Sequence, residues 1–423
     1  MQELSLDSID QRAHAVDMST TLTPSRLADS RVRFAHQPGF WVIATAFLIT
    51  MAFSTVPTPL YALYQRRDGF PTYLITIIFA AYAVGVMVSL YLAGHVSDWL
   101  GRRRVALLAV LAEAVAAAIF LIWPDVPGLL LARFISGVGV GVLTATATAH
   151  LSELRKIARP EEDPSRSALI SSMVNLGGLA FGPLVGGILA QYVASPLERP
   201  YEIFLVLLLL SAVGIALVPE TVERLEERPA YRPQRVALPA AAKPLFFASA
   251  IGAFAAFSIF GLFTSLAPTF LAGVLHQPSR ILAGVVTFAV FIAGAASQVI
   301  FVKMERRNQL RLGLAFMSVG LVGIAIGGLI PSLALFVIGG VIAGAGVGLV
   351  FRGAVATAAS LADAGSRGEV LAALFLIAYA GLALPVLAIG LGIALLPAAT
   401  ALLIFSVLIL ILVNAAVPRM IKH

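Results

Sequence analysis

A series of apolar runs, each about 20 residues or longer and separated by short charged segments, most constrains this sequence. Twelve runs can be marked, at residues 40–64, 72–94, 104–123, 129–152, 167–191, 201–219, 245–272, 280–302, 312–330, 333–359, 369–394 and 398–417. An α-helix rises about 1.5 Å per residue, so each run is long enough for the roughly 30 Å hydrocarbon core of a bilayer. In that core no water satisfies the backbone, which leaves helices or closed barrels. Runs of this length are about twice what a barrel strand needs. The chain therefore reads as an all-α membrane protein with twelve transmembrane helices. Composition agrees: 59% of the 423 residues are hydrophobic and 12% are charged, where a soluble domain carries about 25% charged residues.

Positive charge sets the expected orientation. With the N-terminus inside, cytoplasmic segments hold 23 of the 29 Lys and Arg residues and outer loops hold 4. Arg133 and Arg352 lie within spans and complete the count. That asymmetry follows the positive-inside rule and supports an even span number with both termini cytoplasmic. It also accounts for the net charge of +7 without nucleic acid as a partner. The chain has no cysteine, so thiolate metal sites are excluded, and no cofactor is expected. Residues 1–38 lack the apolar core of a signal peptide and read as a cytoplasmic tail. The remaining segments are a six-helix bundle at 39–219, a cytoplasmic linker at 220–243, a second bundle at 244–418 and a cytoplasmic C-terminus at 419–423.

The two bundles repeat one another. Ile135-Ser136-Gly137-Val138-Gly139-Val140-Gly141 and Ile342-Ala343-Gly344-Ala345-Gly346-Val347-Gly348 stand 207 positions apart. The same shift places Asp98 on Glu305 and Arg104 on Arg311. Duplicated bundles with a site at their interface are a transporter architecture. Between the second and third spans lies Gly94-x-x-x-Asp98-x-x-Gly101-Arg102-Arg103, a glycine-bounded turn at a membrane face.

Twelve spans in two halves, with this turn between spans two and three, resemble the major facilitator superfamily. The resemblance covers nearly the whole chain after residue 38. It implies a secondary transporter that works by alternating access, expected in the bacterial inner (plasma) membrane as a monomer surrounded by membrane lipids. Its partners would be a small-molecule substrate and protons. Trp99 stands where the family usually has a basic residue. The resemblance further implies a conformational latch of Gly94, Asp98, Gly101, Arg102 and Glu153. Asp98 would face the start of span eleven near Glu369, where the helix dipole favours an anion, and Arg102 would pair with Glu153. Both contacts would hold an outward-open state.

Arg133-x-x-x-Gly137-x-Gly139-x-Gly141 is a second signature. The small residues permit close helix packing, and an intramembrane arginine is a functional-site hypothesis in itself. In related antiporters the matching arginine is implicated in proton coupling. The third signature, Gly178, Gly182, Pro183, Gly186 and Gly187 in span five, resembles the motif of drug and other proton-linked antiporters. Glu113 is the clearest carboxylate deep in the membrane, and with Arg133 it is the candidate proton-coupling pair.

The cavity is expected between spans one, four, seven and ten. Its candidate substrate-binding residues are Ser54, Thr58, Tyr61, Phe257, Phe260, Thr264, Phe351 and Arg352, a mixture suited to an amphipathic or aromatic compound. The function read from the sequence is proton-coupled export, by antiport, of a small organic or amphipathic compound. A proton symporter or uniporter for a sugar or organic acid and a lipid flippase are the alternatives. The spans carry no paired acids, histidine cluster or activated serine, so an enzyme is not expected.

Overall fold

The computed structural model describes residues 34–94, 96–222, 240–362 and 367–422, without the side chains of Pro164 and Ala240. The expected tail, apart from residues 34–38, and most of the expected linker lie outside the described residues. Among the described residues there is no strand, and twelve helices are long and apolar enough to cross a membrane: α1 (His36–Asp68), α2 (Thr72–Ala93), α3 (Arg102–Ile122), α4 (Val126–Ala158), α5 (Ser165–Tyr192), α6 (Arg199–Leu217), α7 (Lys243–Ser265), α8 (Arg280–Ile300), α9 (Arg306–Leu329), α10 (Leu333–Ser360), α11 (Arg367–Gly392) and α12 (Ala398–Ile421).

Prolines punctuate the helices that line the centre. In α1 the α-helix ends at Thr55, and Pro57 and Pro59 convert the chain to a 3-10 turn over Thr58–Leu60 before helix resumes at Tyr61. Pro lacks the amide that an uninterrupted helix would need there. The single span expected at 245–272 is likewise broken: α7 stops at Ser265, and a separate short helix, Ala267–Gly273, begins beside Pro268. Ser279 and Ser332 cap α8 and α10 by accepting from the amides of Leu282 (3.2 Å) and Leu335 (3.4 Å).

The halves pack by the same plan. α1 lies against α4, α5 and α6, and α7 lies against α10, α11 and α12. Across the halves the main contacts are α5 with α8 and α2 with α11, which are each other's counterparts under a six-helix shift. Lipid gives helices no hydrophobic reason to associate, so close backbone approach carries the packing. A Cβ on Gly137 would strike the Tyr82 carbonyl of α2, and one on Gly344 would strike the Val290 carbonyl of α8. Gly139 and Gly346 make the corresponding approaches to α3 and α9. The sequence repeat is thus a repeat of helix seams.

The amide of Phe34 donates to the carbonyl of Leu217 at 2.9 Å, so α1 begins where α6 ends. With twelve crossings, the described ends of the chain share one face, called here the terminal face.

Overpacking a helix seam costs about 1–3 kcal/mol. Gly137→Val and Gly344→Val should each lower the melting temperature in detergent by several degrees. Gly177→Ala should not, since nothing lies within 4 Å of a Cβ there. Equal melting temperatures for all three variants would show that these seams do not set stability.

Candidate functional site

The turn at residues 94–104 lies at the terminal face and is held by a charged cluster. Gly101 has φ +100°, a region that favours glycine. The absence of a Cβ there leaves room for the Glu220 carboxylate, which accepts from the amide of Arg102 at 2.8 Å and so satisfies a donor at the first turn of α3. The Arg102 guanidinium reaches Glu153 of α4 at 3.0 Å, Asp98 at 2.5 Å and the Ser97 hydroxyl at 2.7 Å. Thr221 donates to Glu153 at 2.5 Å, and His150 sits 3.2 Å from the carbonyl of Pro219.

The structure therefore brings Arg102, Glu153 and Asp98 together on one another. It does not bring Asp98 to α11. The Asp98 side chain is 58% exposed and bound to Arg102. It lines a vestibule of about 490 Å³ whose other wall includes Gly368, Leu371 and Ala372 of α11. The expected contact with the region of Glu369 is replaced by open space. Gly94 lines the same vestibule.

At the opposite end the halves are closed. Gly178, Gly182 and Gly186 lie one turn apart on α5 and all face α1, against Met51 and Leu48, Ala52 and Thr55, and Val56 and Pro59 respectively. Gly187 points the other way, to the Arg280 carbonyl and Gly284 of α8, and the Pro183 carbonyl abuts Gly284 in turn. Arg280 also donates to the Ala190 carbonyl at 2.6 Å. Gly390 of α11 packs on Thr76 of α2.

Between these ends is a central cavity of about 90 Å³. It shares Thr144, Phe375 and Tyr379 with the vestibule wall. The first half contributes Ser54, Thr55, Tyr82, Arg133, Ser172 and Asn175; the second contributes Phe257, Phe260, Phe291, Phe351, Phe375 and Tyr379. Phe260 and Phe291 stack at 4.0 Å, and Phe257 touches Phe351 at 5.0 Å and Tyr379 at 5.3 Å between centroids. Polar groups predominate on the first-half wall, which also carries Phe79 and Tyr82, and aromatic rings on the second-half wall, which also carries Thr264 and Gln298. A hydrogen bond crosses between them from Ser172 to Gln298 at 2.9 Å.

Of the residues expected here, Ser54, Phe257, Phe260, Thr264 and Phe351 line the cavity. Thr58 and Tyr61 do not. On an unbroken helix both would share a face with Ser54, but the 3-10 turn at Thr58–Leu60 ends that register. Arg352 is also outside the cavity wall; its guanidinium donates to the Gln298 carbonyl at 2.7 Å. Asn175, Gln298, Tyr82 and Tyr379 were missed. The two amides were legible in principle, because polar side chains inside a span are costly and face the bundle interior.

Arg133 is 1% exposed. It donates to the Ser54 carbonyl at 2.6 Å, and its charge lies over the rings of Tyr82 (4.3 Å) and Phe79 (5.8 Å). Glu113 is fully buried at the α3–α4 seam beside Gly139. Neither of its oxygens has a hydrogen-bond partner among the described residues, and it makes no ion pair with Arg133. Six residues separate Gly139 from Arg133, about 9 Å along the helix, and the two positions face different neighbours, α3 and α2.

The Major Facilitator Superfamily profile matches residues 42–385, and the chain belongs to that superfamily: it is a multi-pass membrane transporter and not an enzyme. A puromycin resistance protein of Streptomyces alboniger is 30% identical over 154 residues, 36% of this chain and 30% of that protein. An arabinose-proton symporter of Bacillus subtilis is 29% identical over 118 residues, 28% of this chain and 23% of that protein. The chain thus spans less than a third of the length of either relative. In fold it is similar to the human organic anion transporter MFSD10, with TM-score 0.67 and 17% identity over 90% of this chain and 99% of that one.

The turn from α4 to α5 carries a separate clasp. Arg155, stacked 5.1 Å over Phe40, chelates Glu162 through Nε and Nη2, and Arg166 adds a contact at 3.0 Å. Hydrogen bonds from Arg155 hold the Glu162 carboxyl down to about 2. A depressed carboxylate stabilises the fold fully above its unfolded value and loses that contribution as pH falls through its folded value. The difference in melting temperature between wild type and Glu162→Gln should therefore be constant from pH 7 to 5 and shrink between about 4.5 and 2. A difference that already shrinks near pH 6 would contradict the clasp. At the other cluster, Glu220→Ala should speed amide hydrogen exchange at Arg102 and Arg103, at a cost of about 1 kcal/mol for a lost cap. Unchanged exchange at both amides would remove Glu220 from that role.

Proposed function

We propose that this protein exports a small aromatic or amphipathic compound in exchange for protons, by alternating access of the central cavity. The observation that carries the reading is the cavity itself: it lies between two matching halves, sealed toward one end by the α5–α8 and α2–α11 seams and continuous in its walls with a vestibule at the other. The arginine-rich terminal face is the cytoplasmic one, so the conformation faces inward. The dry glycine stripe of α5 keeps the far end tight while the halves rock. Similarity to a resistance protein accords with export.

Glu113 is the proton carrier in this reading. It is the one fully buried carboxylate among the described residues, on a helix seam shared with the segment that bears Arg133. A proton gained or lost there changes the field at the cavity wall through low dielectric. Asp98 is the moving part of the latch. Closing the vestibule brings it to the N-terminal turn of α11, where its charge meets the helix dipole, while Arg102 keeps it oriented.

A second reading, proton symport of an organic acid, is favoured by one observation. Arg133 is the single charged side chain in the described cavity wall. With Glu113 neutralised by a proton, Arg133 is left positive beside the cavity, so a proton and an anion would load together.

Proteoliposomes with an acidic lumen separate the two. Antiport accumulates substrate as protons leave, and symport expels it. Accumulation is expected, and expulsion would establish the second reading. Glu113→Gln should reduce the ratio of gradient-driven to gradient-free flux to about 1, and a ratio equal to wild type would clear Glu113 of coupling. Asp98→Asn should cut transport by tenfold or more with expression and melting temperature preserved. Full transport by that variant would dispose of the latch.

A further inference from the structure

Among the described residues, the charge of the central cavity comes from one side chain. Its described wall holds one cation, Arg133, and no carboxylate. That cation is almost completely desolvated: the residue is 1% exposed, and its Nε has no hydrogen-bond partner among the described residues. Around it lie one carbonyl, from Ser54, the faces of Tyr82 and Phe79, and the neutral Tyr61 side chain. Dipoles and ring quadrupoles attract a guanidinium but do not neutralise it, and an uncompensated buried charge is costly. No salt bridge to an acid forms among the described residues, since Glu113 sits at the α3–α4 seam beside Gly139 while Arg133 faces α2. An anion entering the cavity would be the missing partner, and the planar guanidinium suits a carboxylate.

The opposite wall defines the rest of the ligand. Phe257, Phe260, Phe291, Phe351 and Phe375 come from the second half and line the cavity opposite the half that holds Arg133. The space between the walls is about 90 Å³. That is smaller than the roughly 150 Å³ apolar cavity that holds benzene, so a bound ring must extend toward the adjoining vestibule of about 490 Å³. The open side continues to the vestibule.

We infer that the substrate class is a small aromatic carboxylate, with its anionic group on Arg133 and its ring against the phenylalanine wall. Cations are disfavoured because the described wall offers them no carboxylate and one like charge. The inference rests on the reading of this cavity as the transport site and holds for either direction of proton coupling.

The test uses benzoate, benzamide and benzylamine, which share a ring and differ in charge. Thermal stabilisation of the full-length wild-type protein in detergent at pH 7 should place benzoate about tenfold or more above benzamide in apparent affinity, the difference of one charge-assisted hydrogen-bonded pair. Benzylamine should give no shift. Equal shifts from benzoate and benzamide, or a preference for benzylamine, would overturn the assignment. In Arg133→Gln the ratio of benzoate to benzamide affinity should collapse to about 1, and in Arg133→Lys a preference for the anion should persist. A preference retained in Arg133→Gln would also overturn it. Should Arg133→Gln not fold, the wild-type series and Arg133→Lys decide. Coupling is read separately, from the direction of flux in acid-loaded vesicles over a broad compound panel. Loss of gradient-driven flux for every compound would defeat the transport reading while leaving the binding order to stand or fall alone.

Discussion

Direct backbone contact between helices is the constraint on which the rest of this structure depends. A bundle in lipid has little hydrophobic force to hold it, because the surrounding chains are as apolar as the side chains. Glycine permits the alternative, in which one helix backbone rests on another. The α2–α4 and α8–α10 seams are built this way within the halves, by Gly137 and Gly141 and by Gly344 and Gly348. Between the halves, the α5–α8 seam is built the same way by Gly187 and Gly284, and at the α2–α11 seam Gly390 receives the Thr76 side chain. The first set makes each half rigid. The second is confined to one end, so the opposite ends stand apart around the vestibule.

The duplication is complete in packing and incomplete in chemistry. Under the 207-residue shift, Glu113 falls on Gly320 and Arg133 on Gly340. Gly320 allows α9 to approach Ala343, and Gly340 fits against Phe263. The second half therefore uses, for packing, the two positions at which the first half places charge. The cavity is unequal in the same sense: among the described residues, its one cation comes from the first half and most of its aromatic rings from the second. The two bundles share one packing plan, and their side chains differ where they meet the cavity.

The terminal-face cluster shows how a short motif gains meaning from distant chain. Gly101 and Arg102 were legible as a turn. Glu153, the partner of Arg102, lies 51 residues away, and Glu220, against Gly101, lies 119 away. Glu153 was found through the resemblance to a family. Glu220 was placed at the head of a linker, where a carboxylate reads as ordinary solvated charge. Its role follows from the point at which α6 ends, beside the start of α3.

The sequence alone determined the class of protein. Twelve apolar runs, an even count, and basic residues gathered on alternate loops follow from the chemistry of hydrocarbon and water, which acts on each segment locally. It also determined that Arg133 and Glu113 are exceptional, because a charge inside a span is costly wherever the helix packs. The tertiary structure decided where those charges face. Ser54 lines the cavity while Thr58 and Tyr61, on the same expected helix face, do not, since the break at Thr58–Leu60 alters the register. Arg352 is turned to a carbonyl of α8. Which face of a helix meets a cavity depends on its rotation against neighbours many residues away, and no local pattern of apolar residues encodes that angle when every face is apolar.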